Sequence, residues 1–219
     1  MLGAACQRSP MAEIPERIGP YRVISKVGEG GMGVVYKAED LRLERVVALK
    51  VIREFEGDTS RRHFWQEARA AAQVAHPNAC RIYDIAEEQD CLVLVMEFIQ
   101  GESLARRVER GSLPAQEAGQ ITLALLSALE AFHKIGIVHR DLKPSDIVLS
   151  NGGTKLLDFG IAKHVPLNMA EETATTLVDV TTPGMFLGTP RYASPEQFRG
   201  QPVDARSDLF SMGVILFEC

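Results

Sequence analysis

Four ionisable side chains between positions 141 and 158 have the types and spacing of a phosphate-handling site: Asp141, Lys143, Asp146 and Asp158. Asp146 and Asp158 flank two short apolar runs, 147–149 and 154–157, joined by Ser150-Asn151-Gly152-Gly153, a composition that predicts a hairpin turn. Such a hairpin returns Asp158 to the neighbourhood of Asp146. Two hard carboxylates converging there suit Mg²⁺ bridging phosphate oxygens, with Mn²⁺ as the alternative ion. Asp141, five residues before Asp146, is then placed to accept or orient a hydroxyl proton, and Lys143 to neutralise charge on a moving phosphoryl group.

A second cluster lies upstream. Gly28, Gly30 and Gly33 form GxGxxG, a spacing that also opens dinucleotide-binding folds. In those folds a helix follows, whereas Val34-Val35-Tyr36 reads as a strand, so the glycines are expected to form a hairpin flap over phosphates. By themselves they are equally compatible with a plain glycine-rich turn. Lys50 ends Val47-Ala48-Leu49-Lys50, where alternation sends Ala48 and Lys50 to one face of a strand. An inward lysine needs an anion, which a nucleotide phosphate supplies, and Glu67 on the next element is the candidate ion-pair partner. A solvent-facing lysine and a surface glutamate are the bland alternative.

Positioning these groups takes a particular order of elements. β-Branched residues cluster at 21–27, 34–38 and 46–52, which predicts an antiparallel meander. A helix follows over 59–74, with Phe64, Ala68, Ala71 and Ala72 on one face and Pro77 closing the segment. Strands are expected at 81–86 and 91–98. After Gly101 the pattern turns helical, with a short helix at 104–109 and a long one at 114–134 whose stripe is Ile121, Leu125, Leu129 and Phe132. Strands first and helices later indicate an α+β, two-lobed fold with a small antiparallel sheet lobe and a helical lobe, hinged at Gln100-Gly101. The expected division is a leader over 1–20, disordered or a mis-called start before Met11, then a nucleotide-binding lobe over 21–100 and a partial catalytic lobe over 101–219.

The 219 residues carry a net charge of −5, which removes the overall basic excess of a nucleic-acid binder. Arg61-Arg62 and Arg106-Arg107 read as solvated helix faces. The cysteines at 6, 80, 91 and 219 show neither disulfide-scaffold nor zinc-ligand spacing, so a reducing cytoplasm is expected. No signal peptide or membrane-spanning apolar run stands out.

His139-Arg140-Asp141-Leu142-Lys143-Pro144-Ser145-Asp146 and Asp158-Phe159-Gly160, with the glycines, Lys50 and Glu67 at compatible spacings, resemble the Hanks-type, eukaryotic-like bacterial serine/threonine protein kinases from about Tyr21 to Cys219. The resemblance implies ATP-dependent transfer of a γ-phosphoryl group to Ser or Thr hydroxyls of protein substrates. It implies an ATP site of Gly28, Gly30, Gly33, Val35, Ala48, Lys50, Glu67, Met96, Glu97 and Phe98, with Asp146 and Asp158 as metal ligands. Position 146 is Asp where the family has Asn, which keeps an oxygen ligand but loses an amide donor and adds charge near Asp141. Gly188-Thr189-Pro190-Arg191-Tyr192 and Ser194-Pro195-Glu196 resemble the segment that receives substrate, and Lys143 with Thr189 implies Ser/Thr specificity. Between them and Asp158 lie Thr173, Thr175, Thr176, Thr181 and Thr182, and a phosphothreonine there can pair with Arg140.

Asp208 to Cys219 resemble the start of a central helix that further helices cover in the family. Leu209, Val214, Ile215, Leu216 and Phe217 are accordingly expected to lack cover, and the chain to be a fragment or a truncated gene product of low stability. Two other readings stay open: a kinase-fold scaffold that holds nucleotide without turnover, and a small-molecule kinase of related fold.

Overall fold

The computed structural model describes residues 14–30, 33–52, 57–88, 91–157 and 190–219. The chain forms two compact units, one of residues 1–75 and 80–100, the other of residues 76–79 and 101–219. The division falls between Gln100 and Gly101, and the short stretch 76–79 joins the second unit.

Among the described residues, the first unit is a six-stranded antiparallel sheet with one helix. β1 (Arg17–Ile18), β2 (Tyr21–Gly30), β3 (Gly33–Asp40), β4 (Arg45–Ile52), β5 (Ile82–Glu88) and β6 (Cys91–Glu97) lie in the order β1-β2-β3-β4-β6-β5. Arg17–Ile18, which the sequence reading assigns to the leader, pairs with β2 because the Gly19-Pro20 turn folds it back; Gly19 sits at φ +52°. Along β3 burial alternates strictly, with Val34, Tyr36 and Ala38 inside. They pack with Ile18, Tyr21, Val47, Leu49, Val93 and Val95 into one apolar cluster. β6 is buried from Cys91 to Met96, as its unbroken apolar run requires of a strand covered on both faces. The β3–β4 turn is fixed by buried Asp40, whose Oδ1 accepts the Arg42 N–H at 3.0 Å.

α1 (Gly57–Ala72) buries Phe64, Ala68 and Ala71 but leaves Ala72 exposed. One position beyond Ala71 is a rotation of about 100°, enough to leave the stripe. An ion pair between Arg61 and Glu87 ties the helix to β5.

The second unit contains β7 (Gly101–Ser103), α2 (Leu104–Val108), α3 (Ala115–His133), β8 (Ile147–Ser150), β9 (Gly153–Leu156), α4 (Pro195–Phe198) and α5 (Ala205–Glu218). The strands form a sheet in the order β7-β8-β9. Gly101 pairs with Ser150 so closely that a Cβ there would lie 2.3 Å from the Leu149 carbonyl oxygen, so the glycine is required by close approach. Ser103 caps α2 and Asp204 caps α5 through backbone N–H groups two or three residues on. The expected stripe of α3, Ile121, Leu125, Leu129 and Phe132, is buried together with Ala118 and Ala128.

α5 matches the expectation of uncovered apolar residues at Leu209, Leu216 and Phe217 but not at Ile215. Ile215 and Met212 are buried, and Val214 is half-buried. Leu209, Phe210, Leu216 and Phe217 remain exposed. The helix packs through Ser207, Asp208, Ser211, Met212 and Ile215, a stripe at three- and four-residue spacing that mixes polar and apolar side chains. Among the described residues no helix is long and apolar enough to cross a membrane.

Leu49 has no exposed surface, so Leu49→Ala is expected to cost about 2–5 kcal/mol of stability through lost burial and a residual cavity. Leu123→Ala, on a side chain that is 70% exposed, should stay within about 0.5 kcal/mol. Denaturant unfolding of the two variants measures both.

Candidate functional site

In the second unit, Asp141 follows a backbone held in an unusual conformation. Arg140 has φ +66°, a region costly for a residue with a Cβ, and the Asp141 N–H donates to the His139 carbonyl at 2.9 Å. Together these make a γ-turn of the rare positive-φ kind. The turn persists because a carboxylate with no exposed surface faces it: Asp208 Oδ2 accepts the His139 N–H and Oδ1 accepts the Arg140 N–H, each at 2.8 Å. His133, on the last turn of α3, places Nε2 2.7 Å from Asp208 Oδ2, and since a carboxylate only accepts, the imidazole carries its proton there. His139 is itself buried, with Nε2 3.2 Å from the Leu157 carbonyl, which fixes its proton on Nε2 in the same way.

Lys143 Nζ donates to Asp141 Oδ2 at 3.1 Å, so the two residues expected to serve hydroxyl and phosphoryl chemistry are adjacent. Both are partly exposed, as groups that meet a substrate must be. Pro144–Asp146 forms a single 3₁₀ turn, closed by the Asp146 N–H on the Lys143 carbonyl at 3.0 Å. β8 and β9 pair from Ile147↔Leu156 to Ser150↔Gly153, and the Leu157 N–H donates to the Asp146 carbonyl at 2.7 Å. The hairpin expected between the two carboxylates is therefore formed, and it returns the chain to Asp146 one residue before Asp158. Asp158, Thr173, Thr175, Thr176, Thr181, Thr182, Gly188 and Thr189 lie outside the described residues.

Asp146 is half-buried, with Ser145 Oγ 3.3 Å from its Oδ1. Its hard oxygens fit a Mg²⁺ site that keeps several water and phosphate ligands, and among the described residues no cluster of three or more His, Cys, Asp or Glu forms a closed metal cage.

In the first unit, register settles the glycine motif. β2 and β3 are antiparallel and close at Gly30↔Gly33, so the glycines belong to a hairpin and the dinucleotide-binding alternative is excluded. A Cβ on Gly33 would fall 1.9 Å from the Val51 carbonyl oxygen, whereas at Gly28 and Gly30 it would meet nothing within 4 Å. Gly33 is thus needed for strand packing, while the other two leave bare backbone facing open space. Val35 stands opposite Lys50, and Lys37 opposite Ala48, which in turn pairs with Met96. Val35, Lys37, Ala48 and Lys50 therefore share one face of the sheet. Glu67 is half-buried on α1 between Phe64 and Ala68. Phe98 lies beneath the Lys37 ammonium, 4.7 Å from the ring centroid. Glu97 is engaged by the segment before β5, its N–H donating to the Arg81 carbonyl at 2.8 Å.

The protein kinase domain family model matches residues 21–219. The chain belongs to the protein kinase domain family. It is 41% identical over 203 residues to the probable serine/threonine-protein kinase PknB of Lactococcus lactis, covering 90% of this chain and 31% of that protein. It is 38% identical to the serine/threonine-protein kinase PrkC of Bacillus subtilis, covering 91% of this chain and 30% of the relative. The kinase domain thus spans less than a third of the length of these two relatives. Among solved structures, the Mycobacterium tuberculosis PknI kinase domain matches with a TM-score of 0.71 at 27% identity, covering 90% of this chain and 71% of that one. The expected family and two-lobed α+β fold therefore hold.

The kinase domain has site residues that the sequence reading missed. In the sequence Asp208 and His133 read only as helix positions, because nothing local marks a residue whose partners lie 69 and 75 positions away. Lys37 is placed on the face of Lys50 by the same strand alternation. Glu196 accepts a hydrogen bond from Ser207 Oγ, an interaction that holds its carboxyl below the usual range. Tyr192 donates its phenol to Glu218 at 2.7 Å, and burial together with that hydrogen bond pushes its pKa up to about 12.

Asp208→Ala would strand two buried backbone N–H groups and His133, a loss of about 3–5 kcal/mol if the buried network behaves as a broken buried ion pair does. Asp208→Asn keeps one acceptor oxygen and should fall between this variant and the parent. Thermal melts and peptide phosphorylation, measured on the same samples, check the order.

Proposed function

We propose that this chain supplies the catalytic domain of an ATP-dependent protein serine/threonine kinase. The observation that carries the reading is the Asp141–Lys143 pair, at 3.1 Å, on a loop whose backbone is clamped by a fully buried carboxylate. A surface loop has no reason to hold a lysine, an aspartate and a strained turn in one fixed arrangement unless a reacting group is to be met there. The named relatives are serine/threonine-protein kinases, which favours turnover over a nucleotide-holding scaffold.

In this reading Lys50 binds the α- and β-phosphates of ATP and Glu67 orients its ammonium, while the bare backbone of Gly28 and Gly30 lies along the phosphates. Val35, Ala48, Met96, Glu97 and Phe98 line the adenine end. Asp146 and Asp158 hold Mg²⁺, or Mn²⁺, which when bound offsets phosphate charge. Asp141 orients the Ser or Thr hydroxyl of a protein substrate and takes its proton. The hydroxyl oxygen bonds to the γ-phosphorus as the bond from that phosphorus to the β,γ-bridging oxygen breaks, and ADP leaves. Lys143 counters charge on the phosphoryl group in transit, and Thr189 contributes to the choice of Ser and Thr. Thr173, Thr175 and Thr176 are the phosphate acceptors proposed to order their own loop through Arg140. A reaction that consumes ATP fits the cytoplasm.

Lys50→Ala and Asp158→Ala are expected to weaken metal-dependent ATP binding by at least about tenfold each, since each removes a charged hydrogen bond or ligand. Calorimetry with and without Mg²⁺ tests this, and unchanged affinity in both variants would overturn the site. Asp146→Asn removes a negative charge near Asp141 and restores an amide donor, so turnover should rise. Equal or lower rates for the Asn variant in both Mg²⁺ and Mn²⁺ would show that the carboxylate is no handicap.

A further inference from the structure

Gln197 sits in α4, a four-residue helix at the end of the segment that resembles a substrate platform, with no ionisable group or obvious chemistry of its own. Its side chain nonetheless spans two parts of the second unit. Oε1 accepts the Ser194 N–H at 2.9 Å, and Nε2 donates to the Arg140 carbonyl at 2.6 Å. That carbonyl belongs to the peptide joining Arg140 to Asp141, directly after the positive-φ turn. The Arg140 N–H is held from the other side by Asp208. Both peptides flanking Arg140 are therefore fixed by amide or carboxylate groups from distant positions, one from α5 and one from α4.

The second bond has a specific consequence. A γ-turn at positive φ is a shallow, strained arrangement, and an anchor on its N–H alone leaves the following peptide able to rotate. Rotation of that peptide swings Asp141. Gln197 removes the freedom by gripping the carbonyl, and it does so only while its other end is engaged by Ser194. We propose that Gln197 is a positioning residue for the proposed phosphoryl transfer, a latch that aligns Asp141 only when the 194–198 segment is seated. Substrate docking and placement of Asp141 are then one structural event. This inference rests on the kinase reading given above.

Gln197→Glu keeps the acceptor for Ser194 but sets an oxygen against the Arg140 carbonyl, and Gln197→Met keeps length while removing donor and acceptor. Both are expected to lower kcat by about tenfold or more, the scale of a misplaced catalytic group, with the KM for ATP within about twofold of the parent. Gln201→Glu makes the same chemical change at an exposed neighbour and serves as the control. A structural role alone would lower the folded fraction and so the apparent kcat at unchanged KM, which is why each rate is taken per folded molecule, with the folded fraction read from thermal melts of the same samples. In the parent chain the Gln197 side-chain amide protons should exchange with water far more slowly than those of a free glutamine, and the Asp141 amide resonance should move in Gln197→Glu. A kcat within twofold of the parent in both folded Gln197 variants overturns the latch, as does exchange at the free-glutamine rate. Should the parent show no phosphotransfer, the kinase reading fails, and the exchange and resonance measurements alone then decide whether the latch exists.

Discussion

A carboxylate taken wholly out of water is the fixed point of the second unit. Asp208 has no exposed surface, and an unpaired charge so placed would cost several kcal/mol. It is tolerable only because three donors converge on it: the backbone N–H groups of His139 and Arg140 and the imidazole of His133. The dependence runs both ways. The loop can hold Arg140 at φ +66° because its amides are gripped, and α5 can bury an acidic residue because the loop presents amides in the required direction. Loop geometry is therefore inherited from two long helices, α3 and α5, which the His133–Asp208 hydrogen bond ties together. Sites carried on such rigid elements keep their side chains aligned better than free loops do.

The same helix also holds the segment around Tyr192. Ser211 Oγ donates to the Tyr192 carbonyl at 2.8 Å, Ser207 donates to Glu196, and Glu218 receives the Tyr192 phenol while pairing with Arg191. One face of α5 thus serves as a common reference for the loop around Arg140 and for the segment expected to meet substrate. This explains why that face is built of Ser207, Asp208 and Ser211 rather than of aliphatic residues. It spends helix surface on hydrogen bonds, and the remaining apolar residues, Leu209, Phe210, Leu216 and Phe217, are left on the outside.

The first unit solves a different problem by simpler means. Strand alternation sorts β3 and β4 into a core face and a face carrying Val35, Lys37, Ala48 and Lys50, so polar and small groups sit clear of the apolar cluster behind them. Gly33 lets β3 approach the Val51 carbonyl, and Gly28 and Gly30 keep the opposite strand bare. The three glycines of one motif thus act for two separate physical reasons.

The sequence by itself determined the family, the order of strands and helices, the glycine hairpin, and the hairpin that returns the chain from Asp146 toward Asp158. These are legible because period-two and period-3.6 burial and turn chemistry are local, and because Asp141, Lys143 and Lys50 belong to a motif of fixed spacing. Tertiary structure alone decided which polar residues are structural partners of the site. His133 and Asp208 are 75 positions apart and no local pattern marks them, while Ser194-x-x-Gln197 marks Gln197 as a helix cap but not as a donor to the Arg140 carbonyl 57 positions away. It also decided the fate of Ile215, which the composition of α5 cannot distinguish from its exposed neighbours. An apolar side chain is buried only where another element arrives to cover it, and a buried carboxylate is tolerated only where donors from elsewhere converge. Both conditions are set by the packing of distant segments, which residue type and spacing do not encode one at a time.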